Sequence, residues 1–218
     1  MDKNLADVFR LLKILHKYEA VERAYPLPYL RRLENDAEHS YTLAMLAWYI
    51  IEKEHLSLNY EKILKYCLAH DLVEVYAGDT WTVGKVKPGH SVSTKEKREK
   101  KGQQRLRKEL PSFKDLHRYI DGYKKRKDPE SRFVYALDKI VPSLTISLHA
   151  DKGKKTLRKL GITFEMLQEN KKGKVTLHPT TNTLWKSLAE LLEKRHETHK
   201  IFPNLTPSKK SSHRKKKR

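Results

Sequence analysis

Residues 59–79 read NYEKILKYCLAHDLVEVYAGD. Asn59 suits a helix cap, and Ile63, Leu64, Cys67, Leu68, Asp71, Leu72 and Val75 recur at three- and four-residue steps, so one helix is expected to run from Asn59 until Gly78 ends it. Its C-terminal half carries the adjacent pair His70-Asp71, with Glu74 one turn further and Asp79 just beyond. A packed core seldom needs so many charges, so this helix is expected to be both wall and working surface.

Helical periodicity continues on either side. Leu5, Val8, Phe9, Leu12 and Leu15 lay one apolar stripe along a first helix ending near Tyr18, and Tyr25-Pro26-Leu27-Pro28 breaks it. Asn35 or Asp36 caps a second helix in whose first turn His39 sits, and Leu43, Ala44, Leu46, Ala47 and Ile50 make it a nearly buried rod. Residues 81–94, with Gly84, Pro88, Gly89 and His90, suit a loop, and Thr94 to Leu110 suits an exposed, charged helix. Asp128-Pro129-Glu130 is a strong helix start, followed by Phe133, Val134, Leu137, Ile140 and Val141, and this helix carries Asp138. The pattern weakens past Asp151 around Gly153, Gly161 and Gly173, and Leu184 to Leu192 suggest a last amphipathic helix. No internal repeat, Gly-rich phosphate loop or alternating strand pattern is evident. The expected architecture is an all-α, single-domain helical bundle over residues 1–203, with 204–218 a basic tail too charged to pack.

With 218 residues the chain has room for one substantial core. Its single cysteine, Cys67, excludes an internal disulfide framework and suits a packed thiol in a reducing compartment. Charges interrupt the apolar positions from Asp2 to Glu19, which fits neither a signal peptide nor a membrane span, so a cytoplasmic protein is expected. The net charge of +20 is concentrated: sixteen Lys/Arg face five Asp/Glu between Lys85 and Lys127, and seven Lys/Arg fall in residues 209–218. Both segments can attract phosphates, whether on a small nucleotide or by nonspecific nucleic-acid contact.

The chemistry lies in His39, His70, Asp71 and Asp138, two imidazoles and two carboxylates that three separate segments can bring to one divalent cation. Mixed imidazole and carboxylate ligation without a thiolate suits Mn, Fe, Co or Zn better than Ca, with Mg also open. A bound ion of this kind lowers the pKa of its water from about 15.7 towards 7 and polarises a phosphoryl oxygen, which favours phosphoester hydrolysis. Glu74, placed beside the pair without needing to be a ligand, suits proton transfer; Asp79 could orient water, hold a substrate hydroxyl or donate to a leaving group. Trp81 could stack on a base or sugar.

Three blocks, Arg32-x-Glu34-x-x-x-Glu38-His39-Ser40, His70-Asp71-Leu72-x-Glu74-x-x-x-Gly78-Asp79 and Phe133-Val134-x-x-Leu137-Asp138-Lys139, together resemble the HD-domain phosphohydrolase superfamily. Their order and wording are most similar to its branch of 5'-deoxynucleotidases, over roughly residues 5 to 150. The resemblance implies metal ligation by His39, His70, Asp71 and Asp138, catalytic carboxylates at Glu74 and Asp79, and an arginine before the first His that holds phosphate, with Arg23 the nearest candidate and Arg32 behind it.

The expected function is thus metal-dependent removal of phosphate from a nucleoside, preferentially deoxynucleoside, 5'-monophosphate. Alternatives are an HD hydrolase of nucleoside triphosphates or a signalling nucleotide, or a nucleic-acid-binding protein on an HD scaffold. The apolar second helix would permit a homodimer.

Overall fold

The computed structural model describes residues 2–27, 32–84, 91–148 and 150–198. The expected loop residues 85–90, including His90, Pro28 of the expected break, and the tail 204–218 lie outside the described residues. The fold is all-α: α1 (Lys3–Glu19), α2 (Asp36–Lys53), α3 (Tyr60–Ala69), α4 (Glu74–Ala77), α5 (Val92–Glu109), α6 (Lys114–Lys125), α7 (Pro129–Leu148), α8 (Ala150–Leu160), α9 (Phe164–Lys171) and α10 (Pro179–Thr198). No helix among the described residues is long and apolar enough to cross a membrane.

Local chemistry starts and stops the elements that matter. The Asn35 side chain accepts from the Glu38 amide while Glu38 reaches back to the Asn35 amide, a reciprocal cap that fixes the first turn of α2 and so the position of His39. Asn59 caps α3 as its position suggested, through the Lys62 amide at 2.9 Å. Pro142 lies inside α7, four residues after Asp138, and having no N–H it leaves the Asp138 carbonyl without that helical bond.

The core is built where α2, α3, α6 and α7 meet: Leu43, Ala47 and Ile51 from α2, Ile63 and Cys67 from α3, Ile120 from α6, and Phe133, Val134 and Leu137 from α7, all nearly sealed from solvent. Burial pushes the Cys67 thiol well up, as expected of a packed and unreactive cysteine. A smaller apolar cluster of Ala24, Val83, Leu160, Ile162 and Leu167, flanked by Tyr25 and Trp81, docks α8 and α9 onto the segment preceding α2 and the loop after α4.

Several sequence expectations are corrected. The helix begun at Asn59 does not run to Gly78; it ends at Ala69, and through residues 70–76 the bonds Leu72 N–H to Ala69, Glu74 N–H to Asp71 and Tyr76 N–H to Val73 span three residues instead of four. The tightened turn re-aims the chain before the single turn of α4. Leu64 and Leu68, expected inward, are 38% and 61% exposed, because the stripe that packs is Ile63, Tyr66, Cys67 and His70 and these two leucines lie at its rim. Nor is α2 buried all round: Leu43, Ala47 and Ile51 face the core, but Tyr41, Met45, Trp48 and Tyr49 are exposed. On α1 only Ile14 and Tyr18 are buried, and the stripe from Leu5 to Leu15 is open to solvent.

Where strands seemed absent there is one short antiparallel ribbon, β1 (Glu22–Pro26) with β2 (Leu33–Asn35), whose register shifts between Glu22 and Pro26. It is too short for period-two alternation to show. Its function in the fold is to carry two buried charges, Arg23 and Glu34, to the foot of α2.

Candidate metal centre

Four ligand atoms, one each from His39, His70, Asp71 and Asp138, lie within 4.8 Å of one another. They come from α2, the tightened turn after α3, and α7. His39 Nε2 is 3.0 Å from Asp138 Oδ1, and His70 Nε2 is 3.0 Å from Asp71 Oδ2 and 4.0 Å from Asp138 Oδ1. His39, His70 and Asp138 are buried and Asp71 is partly open, which leaves the group one approach from outside.

The hydrogen bonds behind these atoms suit a cation. Nδ1–H of His70 donates to the Cys67 carbonyl at 2.9 Å, so Nε2 carries the lone pair. That lone pair has no hydrogen-bond partner and faces two carboxylate oxygens, an arrangement that is repulsive with nothing between and attractive around a divalent ion. Glu34 Oε2 stands 3.6 Å from His39 Nδ1, where a carboxylate orients a ligating imidazole from behind. The far oxygen of Asp138, Oδ2, accepts from Tyr123 and from Lys139, each at 2.6 Å, so its Oδ1 is the one left for His39 and an ion. Although burial opposes it, the charge of Lys139 and the bond to His39 keep the Asp138 carboxyl well below its usual range. The residues present therefore fit a mixed nitrogen and oxygen site for one divalent cation.

Charge gathers on one side of this quartet. Arg23 Nη1 donates to Asp36 Oδ1 at 2.9 Å and to Asp71 Oδ2 at 3.0 Å, and its Nε lies 3.6 Å from Glu34 Oε2. Asp36, Asp71 and Glu74 place oxygens within 4.8 Å of one another, which Arg23 alone cannot neutralise. Burial, then repulsion from Asp71, Asp36 and Asp79, holds the Glu74 carboxyl well above the usual range, and its Oε2 is buried without a partner. Lys95, expected on a solvated helix face, instead points inward from α5 with Nζ 3.7 Å from Glu74 Oε1.

Gly78 turns the chain with φ +67°, out of the helical range, and Asp79 follows it into the cleft, 7% exposed. Arg98 of α5 secures that loop by donating to the Ala77 carbonyl at 3.1 Å and to the Thr80 hydroxyl at 2.5 Å. Helix α5 comes this close because position 102 is glycine: a Cβ there would meet the Val73 carbonyl at 2.8 Å.

The structure brings most of the sequence-derived candidates to one cleft, lined by Arg23, Asp71, Glu74, Asp79, Trp81 and Asp138 among others. Trp81 is half-buried against the smaller apolar cluster, and its indole N–H has no partner among the described residues. Arg32 is not brought there; it pairs with Glu38 at the surface, held outward by the same cap that begins α2. Sequence reasoning missed Tyr25, Lys95, Lys139 and Lys171 as lining residues and Glu34, Asp36 and Tyr123 as supports. Only Glu34 and Lys139 had a signal, as fixed members of the quoted blocks. A wider groove of about 570 Å³, lined by Arg107, Lys114, Arg118 and Lys125 on α5 and α6, contains none of the quartet.

A family model described as HD domain matches residues 15–183. The chain is 27% identical over 153 residues to the 5'-deoxynucleotidase HDDC2 of Bos taurus, a match covering 68% of this chain and 69% of that one. It is 26% identical over 139 residues to the 5'-deoxynucleotidase HDDC2 of Danio rerio, covering 62% and 65%. Among solved structures, a predicted metal-dependent phosphohydrolase from Magnetospirillum magnetotacticum superposes with TM-score 0.73 at 26% identity, over 88% of this chain and 94% of that one.

Proposed function

The chain belongs to the HD domain family, and from that membership we propose that it is a metal-dependent phosphohydrolase that removes phosphate from a nucleoside 5'-monophosphate, preferentially a deoxynucleoside one. One observation carries the reading: His70 Nε2, buried and without a hydrogen-bond partner among the described residues, stands 3.0 Å from Asp71 Oδ2 and 4.0 Å from Asp138 Oδ1, beside a buried carboxyl at Glu74. That is the arrangement of a cation site with an acid-base group at its edge, and a structural salt-bridge network has no use for it.

His39, His70, Asp71 and Asp138 would hold one divalent ion, of Mn, Co, Fe, Zn or Mg. Such an ion, when bound, makes hydroxide accessible near neutral pH and polarises a phosphoryl oxygen. The remaining work falls to side chains. Glu74 accepts the proton of the attacking water, a role that its unpartnered Oε2 and elevated proton affinity suit. Lys95, facing Glu74, stabilises its ionised form. Arg23, already aligned on Asp71, faces the phosphate oxygens, and Asp79 with Trp81 contacts the sugar and base. The preference for a deoxynucleoside monophosphate is supported by the names of the Bos taurus and Danio rerio relatives.

The test is metal-free protein reconstituted singly with each of the five metals and assayed for phosphate release from deoxy- and ribonucleoside mono-, di- and triphosphates. Release from deoxynucleoside monophosphates, dependent on metal and lost in Glu74→Ala, is expected. Pyrophosphate release from triphosphates would instead favour the nucleotide-triphosphate reading, and no release with any metal would overturn both.

A further inference from the structure

Helix α9 lies in the part of the chain where the sequence pattern fades, and it ends on a lysine in an unusual setting. Lys171 is 5% exposed and lines the cleft beside Lys139, Asn170 and Trp81. Every other cation described on that wall is matched: Arg23 pairs with Asp36 and Asp71, Lys95 with Glu74 and Glu99, and Lys139 with Asp138. Lys171 has no carboxylate within ion-pair distance and no hydrogen-bond partner among the described residues.

Its neighbours aggravate the cost. Burial, then the charge of Lys139, pulls the Lys171 ammonium down to about 7, and Lys174 adds to this. Lys174, half-buried, is itself lowered by burial, Lys139 and Lys95. Lys139 and Lys174 thus both repel the Lys171 ammonium, and among the described residues Asp138, already bonded by Tyr123 and Lys139, draws it the other way. An ammonium without a counter-charge, on a nearly buried side chain among like charges, is destabilising, and on the wall of a reactive cleft it is suited to pairing with an anion.

The position is built, not incidental. Leu167 of α9 packs with Leu160, Ile162, Val83 and Ala24, which fastens the helix to β1 and to the loop after Asp79. Asn170 Nδ2 adds a contact of 3.5 Å to the Thr82 carbonyl. Ile162 and Leu160 also close on Gly84, where a Cβ would meet the Leu160 carbonyl at 2.5 Å. The apolar cluster thus delivers the end of α9 to the cleft through the same loop that carries Asp79 and Trp81.

We propose that Lys171 is an anion-binding residue of this cleft, pairing its ammonium with the phosphate group of the substrate and with the inorganic phosphate released from it. This rests on the reading of the cleft as a phosphohydrolase site and adds a contact from outside the three motif blocks. The substrate phosphate supplies the counter-charge that the protein withholds, so binding selects ligands with a phosphate dianion over the dephosphorylated nucleoside.

The experiment uses full-length Mn-loaded protein, as wild type, Lys171→Met and Lys171→Arg, in calorimetric titrations with inorganic phosphate and in steady-state assays on deoxynucleoside 5'-monophosphates. A lost charge-assisted contact predicts phosphate affinity falling and KM rising by roughly 10- to 100-fold in Lys171→Met, with most of both recovered in Lys171→Arg. Manganese affinity and the far-ultraviolet circular dichroism spectrum should match wild type in both variants. Equal phosphate affinity in wild type and Lys171→Met, or no phosphate binding by wild type, overturns the assignment. If phosphate binds through Lys171 but no phosphate ester is hydrolysed, the anion site stands and the phosphohydrolase reading falls.

Discussion

His39 Nε2 on α2 lies 3.0 Å from Asp138 Oδ1 on α7, a contact between residues 99 positions apart. It joins the capped start of one helix to the middle of another across the buried core, so the site and the packing of α2 on α7 depend on the same two side chains. Substituting either tests whether the contact serves a cation or only the fold.

Asp138→Asn keeps the shape but removes the charge that Lys139 and Tyr123 hold in place. Metal affinity is expected to fall by more than about 100-fold, the upper end of what loss of an outer partner costs, and phosphate release should fall with it. Metal content after dialysis at a fixed free metal concentration is the check. Full metal occupancy in the variant would show that the ion, if any, sits elsewhere.

Glu34→Gln probes the layer behind. Glu34 stands 3.6 Å from His39 Nδ1 and from Arg23 Nε, and is 2% exposed. The amide keeps the volume while weakening the orientation of the imidazole, so metal affinity should drop roughly 10- to 100-fold. Isothermal titration with Mn or Co measures this directly, and an unchanged affinity would assign Glu34 to Arg23 alone.

These residues differ in how readable they were. The ligands were legible because each sits in a strongly periodic helix or at its cap, and because Glu74 and Asp79 follow His70-Asp71 within a few positions. The exact convergence was not, since it depends on three-residue hydrogen bonds after Ala69 that no periodicity announces. Helix α6 escaped notice although Leu116, Tyr119, Ile120 and Tyr123 are buried at helical steps, because lysines and arginines between them dominate the composition. Lys95 and Lys171 are ordinary lysines in sequence; only burial and the presence or absence of a partner set them apart.

Glu74→Gln separates chemistry from binding. The substitution removes the proton acceptor while leaving the volume and the quartet, so kcat should fall about 10²- to 10⁴-fold with metal content unchanged. The amide also relieves crowding with Asp36, Asp71 and Asp79, and metal-free Glu74→Gln is expected to melt at a higher temperature than metal-free wild type. A variant with wild-type kcat would leave proton transfer to Asp79 or to solvent.

Lys171 makes the opposite trade visible in stability. Its ammonium, faced by Lys139, Lys174 and Asp138, has its pKa lowered from the usual 10.5 to about 7 in the folded state, by burial first and then by Lys139. The folded pKa being the lower, the side chain destabilises the fold fully below pH 7, and the penalty fades as pH rises from 7 to 10.5, where the unfolded chain also loses its proton. Lys171→Met should therefore be more stable than wild type at pH 6 to 7, by on the order of a few kcal/mol, with the gap narrowing towards pH 10. Saturating phosphate should close the gap from the other side, raising the melting temperature of wild type more than that of the variant, because a ligand stabilises in proportion to its affinity. Chemical denaturation across pH 6 to 10, with and without phosphate, measures both effects. A variant less stable than wild type at pH 7 would mean that the ammonium already has a partner in the fold, and would leave it no charge to spare for substrate.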